Sequence, residues 1–337
     1  MHLDKIPQIY PIYKNLTFAP SCETYAMQNS TTSIKNTFFL SSFHLALLVL
    51  TLSFFLFSCQ KEVHINLGSS PPQLVVQGAI ETNLPPYVVL TSTISFFSTV
   101  DLATLEKSFV HDAVITISDG IKTIPLKEYS IDTGKNNKFY VYTIDTSNLA
   151  NIMLGEENKF YTLNIISGGK TYTSTTKVPT PKGIDSLWFA KPIYPGPTTP
   201  DSALQLFVNY KDPDTLGNYV RYFTSRNNQL YYPSGIFSDE VVNGKNINNI
   251  GLFAGYDASQ STHADSLIFF YPGDTVGLKW CEIDYKVYKF WDTYAFASNA
   301  IGNPFASPIN IQSNISNGAL GVWAGYGSLI YTKIAHH

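Results

Sequence analysis

Polar and apolar residues alternate with a period of two along much of the chain, and Gly, Pro, Asn and Asp interrupt the alternation at short intervals. That period turns one side of an extended segment toward a core and the other toward water. It predicts strands over 73–82 (QLVVQGAIET) and 87–95 (YVVLTSTIS), separated by a turn at 83–86. Strands follow at 113–118 (AVITIS) and 123–129 (TIPLKEY), joined across Asp119-Gly120, a dipeptide suited to hairpin turns. Residues 138–143 (KFYVYT) alternate too, and 160–166 pairs with 171–178 across Ser167-Gly168-Gly169-Lys170. About seven short strands at roughly 8–12-residue spacing are the pattern of an immunoglobulin-like β-sandwich, expected here over 73–180. The Cys…Trp…Cys hallmark of antibody domains is absent.

Pro179-Thr180-Pro181-Lys182-Gly183 breaks the pattern, because proline cannot donate to a central ladder. A second β-rich domain is expected over 184–337. Its strands are read at 185–190, 204–210, within 212–223 (DPDTLGNYVRYF), and at 229–232, 266–271 and 274–284, with closing strands at 319–324 and 328–334. One helix stands out. Asp284 can cap it, Val287, Trp291, Tyr294 and Ser298 recur on one face with Phe290 alongside, and Gly302 stops it. The expected fold class is mainly β: an immunoglobulin-like β-sandwich followed by a second β-rich domain carrying one helix.

The N-terminal region has a different pattern. No charge occurs between Lys35 and Lys61, and residues 38–59 are mostly apolar, broken by Ser41, Ser42, His44, Thr51 and Ser53. As a helix this run is long enough for a hydrocarbon core of ~30 Å. A permanent anchor, a secretory signal and a lipoprotein signal compete for it. Leu56-Phe57-Ser58-Cys59 resembles the bacterial lipobox and favours the third, with Cys59 as the lipidated first residue of the mature chain. Several acyl chains on that residue give stable membrane anchoring. Residues 60–72 (QKEVHINLGSSPP) then read as a tether. Residues 1–26 carry Asp4 and Glu23 and lack the basic character of a targeting region, so the expected start is Met27. Residues 27–58 are then the signal peptide and 1–26 a non-translated leader.

Composition narrows the function. The net charge of −3 argues against a general nucleic-acid binder, which needs a basic face. Aromatic residues equal charged ones at 14% each, which favours strands. Of Cys22, Cys59 and Cys281, only the last survives processing unmodified, so no intramolecular disulfide is expected. Cys281 follows Trp280 in an apolar setting and reads as a small buried hydrophobe rather than a reactive thiol.

No catalytic constellation emerges. The chain has no G-x-S-x-G elbow, H-E-x-x-H helix, Cys-x-x-Cys pair or Gly-rich phosphate loop after a strand. His263 with Asp265 could serve as base and orienter, but no nucleophile accompanies them, and a loop explains both. Asp212-Pro213-Asp214 with Asn218 could hold Ca²⁺, although Pro213 and Leu216 break the ligand alternation and a turn fits better. Arg221 reads either as a charge on a sheet's polar face or as a partner of Asp212 or Asp214. Trp188, Trp280, Trp291 and Trp323 with many Tyr could offer a stacking platform for a sugar or peptide. Tyr288, Trp291 and Tyr294 share a helix face that suits core packing equally. The ligand-binding candidates are Tyr231, Tyr232, Tyr256 and Trp323, with the three tyrosines expected to be the most exposed. No catalytic residue, metal or cofactor is expected.

The chain also resembles a known family, domain of unknown function 4249, a group of Bacteroidetes lipoproteins. The likeness is carried by PQLVVQGAIETNLPPYVVLTST after Cys59, by AVITISDG, and by GGKTYTSTTKVPTPKGIDSLWF. YKDPDTLGNYVRYF and the run from YKVYKFWDTYAFASNAIGNP to NISNGALGVWAGY carry it in the second half. It covers nearly all of 59–337 and is collective. The resemblance implies an outer-membrane lipoprotein, facing the exterior, that serves as a non-enzymatic accessory to a TonB-dependent transporter. A structural or adhesive surface module without a small ligand is the alternative. Lys61-Glu62 resembles a surface-export signal of that phylum. Asp-Ser/Thr-apolar triplets at Asp185, Asp201, Asp214, Asp265 and Asp274 resemble its O-glycosylation sites.

Overall fold

The alternating segments fold into paired strands. The structure is a computed structural model that describes residues 71–94, 101–132, 137–257, 267–300, 307 and 309–336. β1 (Leu74–Glu81) and β2 (Tyr87–Ser92) are antiparallel. A short helix, α1 (Leu102–Lys107), follows; the Asp101 carboxylate accepts the Thr104 N–H at 2.7 Å. β3 (Val114–Ser118) and β4 (Thr123–Asp132) form the first expected hairpin. The Asp119 carboxylate there accepts from the Ile121 and Lys122 N–H groups, and Gly120 takes a φ of +88°. β5 (Lys138–Ile144) precedes the second hairpin, β6 (Lys159–Ser167) with β7 (Lys170–Val178). The second half supplies β8 (Ser186–Ala190), β9 (Gln205–Lys211), β10 (Tyr219–Arg226), β11 (Tyr232–Ser238), β12 (Asn246–Leu252) and β13 (Thr275–Ile283). Helix α2 (Tyr285–Ala300) and β14 (Leu320–Ile334) end the chain. The protein is mainly β, as its periodicity implies.

Several second-half elements differ from expectation. The two expected closing strands are one 15-residue strand, β14. β12 was not legible, because NINNIGL lacks an apolar period; its pairing with β9, interrupted by a register shift, makes it a strand. Residues 267–271 form only a single bridge, Leu204 to Phe270, although Phe269 and Phe270 are buried. Residues 212–218 are a loop leading into β10.

One eleven-stranded sheet runs in the order β11-β10-β13-β14-β1-β2-β5-β4-β3-β6-β7, and β8, β9 and β12 form a separate three-stranded sheet. The proline-rich segment at 179–183 ends β7 without dividing the large sheet. β14 joins the two halves. Its first part pairs in parallel with β1, from Leu320 opposite Val75 to Tyr326 opposite Glu81. Its second part pairs antiparallel with β13, from Gly327 opposite Glu282 to Ile334 opposite Thr275. The N-terminal strands therefore lean on the last strand of the chain.

The period of two sorts the central strands onto two faces. Ala79, Tyr219, Phe223, Cys281, Ile283, Val322, Ala324 and Tyr326 meet the inner side of α2, at Val287, Phe290 and Trp291. On the opposite face of β1, β2 and β14, Val76, Ile80, Val88, Leu90 and Trp323 share a core with β3, β6 and β7. A flat sheet cannot bring β7 over β1, so its far end folds back across its middle. Beside this core, Val220, Tyr222, Leu278 and Trp280 pack against β8, β9 and β12.

The fold-back brings β7 across β14 at backbone distance. A Cβ at Gly325 would lie 2.0 Å from the Lys177 carbonyl oxygen, and one at Gly327 would lie 1.9 Å from that of Pro179. Only glycine fits, because the obstacle is main chain that cannot rotate away. Gly327→Ala is expected to lower the unfolding free energy by about 3 kcal/mol, read from a urea midpoint shift. Gly120→Ala, in open space but at positive φ, should cost about 1 kcal/mol. Similar losses at the two positions would contradict the crossing.

Candidate functional site

The four ligand-binding candidates separate. Trp323 is fully buried, so it cannot serve as a surface platform. It projects from the inner face of β14, and its indole N–H donates to the Tyr161 carbonyl at 2.9 Å. Its ring lies over Gly78, its partner on β1, where a Cβ would sit 2.8 Å from Cε3. Tyr231 is half-buried and covers Gly277, with the Lys279 ammonium 5.8 Å from its ring centre. The structure does bring Tyr232 toward Tyr256: the Tyr232 carbonyl would lie 2.2 Å from a Cβ on Gly255. Tyr256 is the most exposed of the four at 39%. Trp188 stacks on Phe207, and Trp280 is core. Cys59, the apolar run at 38–59, His263 and Asp265 lie outside the described residues. Ser186, Ser202 and Thr215, the hydroxyl residues of three Asp-Ser/Thr triplets, are exposed.

Arg221 lies neither on a polar face nor beside Asp212 or Asp214. Odd-numbered residues of β10 turn toward α2, so the guanidinium is buried there. Its central carbon sits 3.4 Å from the Trp291 ring centre and 4.9 Å from that of Phe223. Its Nη1 donates to the Tyr326 hydroxyl at 2.8 Å, and the Trp291 indole N–H donates to the same oxygen at 3.1 Å. Nearby, the Lys279 ammonium donates to Glu81 Oε2 at 2.9 Å. Burial raises the Tyr326 phenol, and it pushes the Tyr87 phenol and the Cys281 thiol far above their ordinary range. Cys281 is thus an inert core residue. A buried cation over two rings fixes where α2 sits, and the helix aromatic Trp291 acts as packing.

What α2 leaves open is a polar cleft. Its first turn is tied to β7 by Asp284. Oδ1 caps the helix by accepting the Val287 N–H at 2.9 Å; Oδ2 accepts the Thr176 hydroxyl at 2.8 Å and the Lys177 N–H at 3.2 Å. The 312–316 segment runs along the other strand edge. The Ser316 N–H donates to the Thr173 carbonyl and the Thr173 N–H to the Ser316 hydroxyl, the Ser174 hydroxyl donates to the Asn314 carbonyl, and the Asn314 amide clamps both main-chain groups of Trp323. Between these parts lies a cavity of about 710 Å³. One wall presents Thr162, Thr173 and Thr175, outward residues of the β6–β7 hairpin; the Thr162 and Thr175 hydroxyls are 2.9 Å apart. The other presents Tyr285, Lys286 and Lys289, and the floor is Gln312–Ser316 polar side chains with Ile315. Tyr285 is 53% exposed, lies 5.6 Å from Tyr219 and carries the Lys289 ammonium 5.7 Å from its ring centre. Hydroxyls, an aromatic face and two cations suit a polar ligand. Sequence reasoning found Asp284 as a cap but missed the cleft, since its walls lie more than a hundred residues apart.

A second polar cluster lies under the 212–218 loop. Asp212, Asp239 and Glu282 are each at most 5% exposed. Asp239 Oδ2 accepts from the Gly217 and Asn218 N–H groups, leaving Oδ1 buried without a hydrogen-bond partner. Asp212 Oδ2 accepts the Gly244 N–H at 3.0 Å, which makes the Asp212-Pro213-Asp214 segment a turn stitched to its neighbour. Among the described residues no three Asp, Glu, His or Cys side chains gather closely enough to hold a metal ion. The Tyr210 hydroxyl donates to Glu282 Oε1 at 3.0 Å. Burial, helped by Asp212 and Asp239, pushes the Glu282 carboxyl up to about 7. Burial also raises Asp212, again with Asp239 contributing.

Together these features define a mainly β architecture: a folded-over sheet, a covering helix and an open polar cleft. The chain belongs to the family described as domain of unknown function (DUF4249), whose model matches residues 60–329. No curated protein matches it.

Glu282 has a folded-state pKa of about 7 against an ordinary 4.5, so the folded protein binds the extra proton between those values. Stability is therefore expected to fall as pH rises from 4.5 to 7, by at most about 3 kcal/mol. Glu282→Gln keeps an oxygen for Tyr210 and removes the charge. Urea titrations of this variant should lose most of that slope and show a higher midpoint at pH 8 than wild type. An unchanged slope would place the pH dependence elsewhere.

Proposed function

We propose that the protein is a lipid-anchored, non-enzymatic receptor of the outer membrane, facing the exterior, which holds a polar ligand for a TonB-dependent transporter. The observation that carries the ligand-holding part is the cleft between the β6–β7 hairpin and α2, with its hydroxyl wall facing Tyr285, Lys286 and Lys289. A sugar or a peptide is the ligand class that such a lining accommodates. Among the described residues the lining contains no Asp, Glu, His or Cys, so these offer no carboxylate, imidazole or thiol for acid–base or nucleophilic chemistry. The anchor rests on Leu56-Phe57-Ser58-Cys59 and the tether after it, and the transporter on the family resemblance.

The anchor is tested in a host that lipidates exported proteins. Cys59→Ala is expected to lose incorporation of a labelled fatty acid and move from the membrane to the soluble fraction; retained label would refute Cys59 as the acceptor. The cleft is tested by passing the protein over an array of oligosaccharides and peptides. Tyr285→Ala should weaken the bound species by about tenfold, the worth of one aromatic contact. Crosslinking in the native membrane should recover a TonB-dependent transporter, and recovery of the protein alone would remove that partner.

A further inference from the structure

We infer that the cleft selects an acidic carbohydrate, a polyhydroxylated chain that carries carboxylate groups. The inference rests on the cleft being the ligand site, and it concerns charge and chemical class. Among the described residues of the lining, Lys286 and Lys289 are the charged ones and none is a carboxylate. Lys286 makes no ion pair among the described residues. Lys289 reaches the Asp292 carboxylate only at 3.8 Å, three residues away on the helix surface, a contact weak enough for a ligand carboxylate to compete with. Its ammonium is also held 5.7 Å from the Tyr285 ring centre and 5.5 Å from that of Tyr288. A cation is thereby stationed beside the exposed aromatic face. A sugar ring stacked on Tyr285 would have its ring substituents next to Lys289, where a carboxylate gains and a neutral hydroxymethyl does not.

Of the two ligand classes, the same lining favours the carbohydrate over the peptide. Two common modes of peptide binding add a strand to a free sheet edge or place side chains in apolar pockets. The β7 edge at Thr173 is already paired with Ser316 in both directions. Among the described residues Ile315 is the one aliphatic side chain in the lining, and it is 7% exposed. The opposite wall instead offers a row of threonine hydroxyls, both donors and acceptors, which match the hydroxyls of a carbohydrate.

The test compares trigalacturonate with its fully methyl-esterified form, which keeps the rings and hydroxyls and removes the charge. Calorimetry on the full mature chain is expected to show the acid bound about three- to tenfold more tightly at low salt, from two exposed ion pairs. The gap should close as salt is raised. Lys286→Gln with Lys289→Gln should erase the gap by weakening the acid far more than the ester, while Tyr285→Ala should weaken both forms. Thermal melts confirm that each variant is folded. Equal affinity for the two forms, or binding of neither, overturns the acidic selection. In either case array binding that Tyr285→Ala abolishes leaves the cleft as the ligand site. Binding of any probe that is indifferent to Tyr285→Ala overturns the site itself.

Discussion

Everything in this fold is arranged around β14 and the main chain that crosses it. The strand is hydrogen-bonded to β1 along its first half and to β13 along its second, so it carries the sheet from one half of the sequence to the other. The end of β7 and the residue after it lie on it with no room for a side chain at Gly325 or Gly327. A backbone contact of that kind has no slack, because carbonyl oxygens cannot adopt another rotamer. It fixes the angle at which the sheet folds back and therefore the volume of the core that Trp323 fills.

The same crossing sets the position of the cleft. β7 reaches α2 through Thr176 and Lys177, which Asp284 gathers at the start of the helix. Thr176 also accepts the Gly325 N–H at 2.8 Å, so one hydroxyl links helix, crossing strand and β14. Farther along α2, the buried Arg221 guanidinium over Trp291 sets the helix against the sheet. With the helix held at two places, Tyr285, Lys286 and Lys289 face the threonine wall across a defined gap. A ligand site built on such elements needs little reordering on binding, which is where affinity is most readily lost.

Much of the local structure was legible in the sequence because local rules decide it. Alternation, or an apolar run bounded by turn residues, marked β1 through β7 to within a few residues, and Asp119-Gly120 marked its hairpin. The recurrence of Val287, Trp291 and Tyr294 after Asp284 marked α2 and its cap. Failures occurred where a partner decides the outcome. Polar NINNIGL becomes β12 because β9 lies beside it. Arg221, a polar residue on an alternating strand, lies inside because its face of the sheet is the one α2 covers. Trp323 resembled a ligand-binding aromatic and proved to be core for the converse reason.

The sequence by itself determined the strand period, the turns, the helix cap and the mainly β class, since each depends on side chains within a few positions of one another. It also carried the family likeness over most of the chain. Only the tertiary structure decided that the two halves share a sheet, which residues the helix covers, and that threonines near 162–175 face lysines near 286–289. These are contacts between segments that are distant in the sequence. Their cost is chain entropy and their return is burial and close packing, and neither quantity is written in a local pattern.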